Sequence, residues 1–154
     1  MIVEDIAGFA AGLAPMGPLL GLDLGTKTIG VAASDGLRGT ANPVETIKRT
    51  KFGADAARLI EIATTRDAAG MVLGLPRNMD GSEGPRAQST RAFARNLVGL
   101  INLPITYWDE RLSTVAAERA LLEADLTRKR RAQVIDAVAA AYILQGALDR
   151  LKHL

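Results

Sequence analysis

Leu19-Leu20-Gly21-Leu22-Asp23-Leu24 is a short apolar run broken by a single acid, and Thr28-Ile29-Gly30-Val31-Ala32-Ala33 is a second apolar run three residues further on. Runs of this length bounded by glycine predict strands, and Gly25-Thr26-Lys27 is short enough to be a turn, so the pair predicts a β-hairpin. Upstream of it, residues 2–14 predict a short helix with Ile6, Phe9, Ala10 and Leu13 on one face, ended by Pro15. Downstream, residues 43–47 predict a third strand. Residues 53–66 predict a helix whose apolar stripe runs through Ala57, Ile60 and Ala63. Met71-Val72-Leu73-Gly74-Leu75 has the composition of a buried strand, and residues 76–84 form a loop with Asp80-Gly81 as its turn signal. Pro85 suits the first turn of a helix reaching about Ile101, with Phe93, Leu97 and Leu100 facing inward. Residues 104–108 predict another strand, Ser113 or Thr114 caps the helix after it, and a last helix runs from about Ala132 to Leu151. This order predicts an α/β fold, a mixed sheet with helices packed against it.

The chain has 154 residues, enough for one domain with a self-sufficient core and too few for two. An apolar fraction of 48% against 23% charged excludes a disordered or fibrous chain. The absence of cysteine excludes a disulfide scaffold, a thiolate zinc site and a cysteine nucleophile. The one histidine, His153, lies next to the last residue, where chains fray, which argues against a serine–histidine hydrolase. The uncharged stretch 6–22 is too short for a membrane span and is interrupted by Gly8, Gly12, Pro15, Gly17 and Pro18. Glu4 and Asp5 precede it, the wrong charge for a signal peptide, so a cytoplasmic protein with no membrane partner is expected.

Three acids sit where acids cost stability. Asp23 interrupts an apolar strand, Glu110 (with Asp109) ends another, and Asp136 lies inside Val134-Ile135-Asp136-Ala137-Val138-Ala139-Ala140. Singly, each reads most simply as half of a salt bridge or as a cap. Together, two strand ends and one helix offer a way to converge carboxylates on a hard cation such as Mg²⁺. With these three counted as metal ligands, 14 acids remain against 19 bases, and that surplus suits a phosphate backbone better than the formal +2. The surplus is also concentrated, in five cations between Arg38 and Arg58 and in the continuous Arg128-Lys129-Arg130-Arg131. Such runs are ordinarily solvated surface.

Gly21-Leu22-Asp23-Leu24-Gly25-Thr26-Lys27-Thr28-Ile29-Gly30-Val31-Ala32 resembles the first motif of the YqgF/RuvX family of ribonuclease H-like nucleases. Val72-Leu73-Gly74-Leu75-Pro76-Arg77-Asn78-Met79-Asp80-Gly81 resembles its second, and Asp109-Glu110-Arg111-Leu112-Ser113-Thr114-Val115 its third. Ile135-Asp136-Ala137-Val138-Ala139-Ala140, with Ile143-Leu144-Gln145, resembles the last. The resemblance implies a ribonuclease H-like fold, a five-stranded mixed sheet whose first three strands are antiparallel, flanked by helices. It implies a single nuclease domain over residues 18–154, with residues 1–17 as an N-terminal extension to which no function is assigned. It also implies processing of the 5′ end of precursor 16S rRNA, with branched DNA at a Holliday junction as the alternative substrate.

Carried over by position, the family's acidic site falls on Asp23, Glu110 and Asp136, with Mg²⁺ or Mn²⁺ as cofactor. Adjacent strand residues point to opposite faces, so only one of Asp109 and Glu110 can join Asp23 if the strand is regular there. The related resolvase pattern favours Glu110 and leaves Asp109 as a supporting acid. In a two-metal hydrolysis Asp23 would bridge the ions, and Glu110 and Asp136 would hold one each. Expected substrate contacts are Lys27, Asn78, Arg111, Arg128, Lys129, Arg130 and Arg131. Against these stand plainer readings: Lys27 as a surface lysine, the Asn78 loop as a simple connection, Arg111 as the partner of Asp109, and Trp108 as core rather than a base-stacking platform. Two other classes remain open. Asp23-Leu24-Gly25-Thr26 also resembles the first phosphate motif of actin-like ATPases, although those need two such domains. A non-catalytic RNA-binding assembly factor would use the basic surface alone.

Overall fold

The computed structural model describes residues 1–112 and 128–154, the side chains of 128–134 excepted. In chain order the elements are α1 (Ile6–Gly12), β1 (Leu19–Leu24), β2 (Thr28–Ser34), β3 (Ala41–Lys48), α2 (Phe52–Arg66), β4 (Gly70–Leu75), α3 (Pro85–Val98), β5 (Ile105–Asp109), a 3₁₀ turn (Glu110–Leu112) and α4 (Arg128–Leu151). The five strands form one sheet in the order β3-β2-β1-β4-β5. The first three are antiparallel, while β4 and β5 run parallel to β1. The hairpin expected from the opening motif is present, its turn closed by the Gly25 amide donating to the Thr28 carbonyl at 2.9 Å. Parallel order puts the carboxyl ends of β1, β4 and β5 along one edge, where crevices form in such sheets.

Helices cover both faces. On one, α2 and α3 bury Leu59, Ile62, Phe93 and Leu97 against Leu20, Leu22, Ile29, Val31, Met71 and Leu73. On the other, α4 and α1 bury Ala140, Ile143, Leu144, Leu148 and Phe9 against Leu19, Ala32 and Val72. Period-two alternation along β1 divides its residues between these cores.

Several boundaries depart from the sequence expectations. α1 starts at Ile6, capped by Asp5, whose carboxylate accepts from the Gly8 amide at 2.9 Å. Residues 1–3 are extended instead: Ile2 bridges Ile105 in parallel, and the Val3 amide donates to the Ile105 carbonyl at 2.8 Å. β3 extends beyond 43–47 at both ends, and it accommodates Pro43 because an edge strand need not donate on its outer side. α2 turns Ala56, Leu59 and Ile62 inward rather than Ala57 and Ile60, because this stripe buries more apolar surface. α3 stops at Val98 before Gly99, leaving Leu100 exposed rather than inward. α4 begins at Arg128, so the basic cluster forms its first turn instead of preceding it; Arg, Lys, Ala and Gln are all good helix formers. The expected cap at Ser113 or Thr114 lies outside the described residues. Among the described residues no helix is long and apolar enough to cross a membrane.

Candidate active site

Helix α4 lies close on the sheet because three strands present glycine to it. A Cβ at Gly21 would stand 2.6 Å from the Leu144 side chain. At Gly30 it would stand 1.9 Å from the backbone carbonyl oxygen of Asp136. At Gly74 it would meet Ile143 at 2.5 Å and the Glu110 carboxylate at 2.7 Å. Separations below 3 Å are impossible for real carbon atoms, so any side chain at Gly30 must displace backbone.

Asp23 is next to last in β1, only 5% exposed, and in register with Gly30. Directly opposed residues of an antiparallel pair project to the same side, so Asp23 projects toward the side where α4 brings Asp136 onto Gly30. The Thr28 hydroxyl, from the start of β2, donates to Asp136 Oδ2 at 2.6 Å. Glu110 is not on the strand as expected: it opens the 3₁₀ turn after β5, and its carboxylate lies over Gly74. The turn forms because Asp109 accepts from the Arg111 amide at 3.0 Å, a local bond that competes with the ladder. Three acids from β1, the turn after β5 and α4 therefore share the α4 side of the sheet.

The supporting residues divide. Arg111 pairs with Asp109 at 2.6 Å and also donates to the Met79 carbonyl at 3.3 Å, the plainer of its two expected roles. The Arg111 guanidinium holds the Asp109 carboxyl below its usual range. Asn78 is engaged within its own loop, its side-chain amide donating to Ser82 Oγ at 3.0 Å. Lys27 stands exposed at the hairpin tip with no ion-pair partner among the described residues. The Trp108 indole packs on Gly146 of α4, as a core residue would. Of Arg128, Lys129, Arg130 and Arg131 only the helical backbone is described.

The three acids are all oxygen donors, the chemistry a hard divalent cation takes. Among the described residues, no three Asp, Glu, His or Cys side chains stand close enough together to enclose a metal ion. Donor type and shared side therefore fit a metal, without a closed ligand cage.

The RuvX family profile, described as Holliday junction resolvase, matches residues 17–150. The chain belongs to the RuvX family. A Ruegeria pomeroyi protein named "Putative pre-16S rRNA nuclease" is 70% identical over 154 residues, the whole of both chains. A Paracoccus denitrificans protein of the same name is 71% identical, over all of this chain and 98% of that one. Among solved structures, Thermus thermophilus RuvC in complex with a Holliday junction substrate aligns with a TM-score of 0.55 at 14% identity, over 88% of this chain and 96% of that one. A second Thermus thermophilus RuvC structure gives 0.52 at 13% identity, over the same shares. At such identities the likeness is one of fold: this RuvX chain has a RuvC-like ribonuclease H fold.

The motifs of this RuvX chain contain Gly21, Gly30 and Gly74 but assign them no task. Nor do they assign one to Thr28. The available signal was spacing: Gly21 and Asp23 are two apart on one strand, as are Thr28 and Gly30 on the next, so each pair shares a side.

Proposed function

We propose that this RuvX chain is a nuclease that hydrolyses phosphodiester bonds at the 5′ end of precursor 16S rRNA, using Asp23, Glu110 and Asp136 with Mg²⁺ or Mn²⁺. The observation that carries this reading is the buried carboxylate of Asp23 on a central strand, opposite the glycine on which the Asp136 backbone rests. Full-length relatives about 70% identical, named "Putative pre-16S rRNA nuclease", support the substrate. A bound divalent cation supplies a water of lowered pKa and offsets charge on the departing oxygen.

The chain's own groups do the rest. Asp23, Glu110 and Asp136 would hold the cation, and the Thr28 hydroxyl orients the Asp136 carboxylate. Lys27, at the tip of the hairpin that carries Asp23, neutralises substrate phosphate. Arg128, Lys129, Arg130 and Arg131 begin the helix that carries Asp136, about 12 Å along its axis, and extend the phosphate-binding surface. Asn78 and Arg111 complete the proposed contacts, with Arg111 sharing its guanidinium between Asp109 and the strand.

Purified protein with Mg²⁺ or Mn²⁺ is expected to cut RNA spanning the precursor end. Asp23→Asn should reduce cleavage at least about a hundredfold while keeping the melting temperature. Equal cleavage by both proteins would sink the reading. The family description favours a second reading, resolution of four-way DNA junctions. Junction resolution needs two sites in a symmetric pair, so a monomer that cuts only RNA would reject it.

A further inference from the structure

At the carboxyl end of β1, on the side of the sheet away from α4, a cavity of about 190 Å³ opens between the hairpin tip and the start of α3. Thr26, Arg49, Pro85, Arg86 and Ser89 line it, and none of its lining residues is acidic. Both arginines also hold the chain just after Asp23. Arg49 Nη1 donates to the Gly25 carbonyl at 2.6 Å, and Arg86 Nη2 donates to the Leu24 carbonyl at 3.4 Å. A guanidinium has five N–H donors, so each keeps several for a ligand. Arg49 stands 4.0 Å from Asp55, a loose ion pair, and Arg86 has none among the described residues. The start of α3 adds to the field: Gly84 gives no side-chain cap, and no acid occupies the first turn.

We infer that this cavity binds a backbone phosphate of the substrate strand, one other than the phosphate being hydrolysed, and so sets where the strand is cut. Two arginines, two hydroxyls and an open helix N-terminus suit an oxyanion. Because the same arginines hold the Leu24 and Gly25 carbonyls, occupancy of the cavity also steadies Asp23. Arg49 and Arg86 are thus positioning residues. The inference rests on the nuclease reading for the identity of the strand.

The test uses the full chain and a fluorescein-labelled single-stranded RNA spanning the precursor 5′ end. Ser89→Asp places a negative charge in the cavity at an exposed position near a helix N-terminus, where an acid does not harm the fold. Its melting temperature should hold, its Kd for the RNA should rise about tenfold, and the slope of log Kd against log salt should fall by about one. Arg86→Gln should act in the same direction and Arg86→Lys should recover part of the affinity. Unchanged Kd and salt slope in Ser89→Asp overturn the inference and leave the nuclease reading standing if the wild type cleaves. Lost binding in Ser89→Asp, with a wild type that binds RNA but never cuts it, keeps the site and removes the nuclease reading. Inorganic phosphate separates the remaining source. If it raises the melting temperature of the wild type but not of Ser89→Asp, while RNA affinity is the same in both, the cavity takes free phosphate and the inference fails.

Discussion

The two faces of the sheet are built from different materials. Under α2 and α3 the strands present Leu20, Leu22, Ile29, Val31, Met71 and Leu73, all fully buried, and the helices answer with Leu59, Ile62, Phe93 and Leu97. Under α4 the same strands set Gly21, Asp23, Gly30 and Gly74 among Leu19, Ala32 and Val72, and the helix answers with Ala139, Ala140 and Ala147 alongside Ile143, Leu144 and Leu148. Large side chains exclude water and stabilise the fold but hold the layers apart. Small ones give up buried area and let a helix backbone reach the strands, so the Asp136 carbonyl rests on Gly30, the cross-strand neighbour of Asp23. The larger apolar core thus lies on one face, and the candidate chemistry on the other.

Substituting one residue on each face breaks the comparison where it is most exposed. Gly30→Ala is the severest expected change: its Cβ would collide with the Asp136 carbonyl, so urea unfolding should show a loss above about 3 kcal/mol, and the folded fraction should not cleave. Gly12→Ala, with open space around it, is the matched control. Full stability in Gly30→Ala would mean α4 does not lie against β2. On the opposite face, Leu59→Ala should cost about 2–5 kcal/mol yet leave kcat per folded molecule unchanged. A fall in that kcat would show that the faces are not separate in function.

Thr28→Val, nearly isosteric, removes the hydroxyl that donates to Asp136. A loss of about 1 kcal/mol is expected, together with a roughly tenfold rise in the Mn²⁺ concentration giving half-maximal cleavage. An unchanged Mn²⁺ requirement would detach Thr28 from the site. The smallest effect concerns the ion pairs on the α2 and α3 side. Arg58 holds the Glu45 carboxyl below its ordinary range, and Arg91 does the same for Glu83. A carboxyl lowered in the folded state contributes stability that is complete above its unfolded pKa, about 4.3, and is lost as pH falls toward the folded value. Melting temperature should therefore be level from pH 7 to about 5 and decline below about pH 4.5, and less steeply in Glu83→Gln. An equal decline in that variant would place the acid-labile groups elsewhere.

The sheet was legible because its strands are apolar runs of strand length separated by clear turn signals, and its order came with the motifs. The Asp23 hairpin could be placed from its residues alone. What escaped the sequence was contact across long separations. Nothing local says that Gly30 must be bare, because the reason is a carbonyl at residue 136. Sequence alone puts Asp109 and Glu110 together at the strand end; that the Asp109 carboxylate bonds the Arg111 amide and ends the ladder there depends on a side-chain choice with no periodicity. Met1-Ile2-Val3 is too short for any pattern to show, so its pairing with β5 was invisible.

That pairing has a consequence for biosynthesis. Met1 and Val3 bond to Leu103 and Ile105, across a gap of about a hundred residues. While the ribosome is still making β4 and α3, the amino-terminal segment has no berth, and Phe9 lacks the α4 residues that will bury it. The segment emerges early and docks late, so a bulky fusion attached ahead of it should slow maturation of the nascent protein more than the same fusion placed after Leu154.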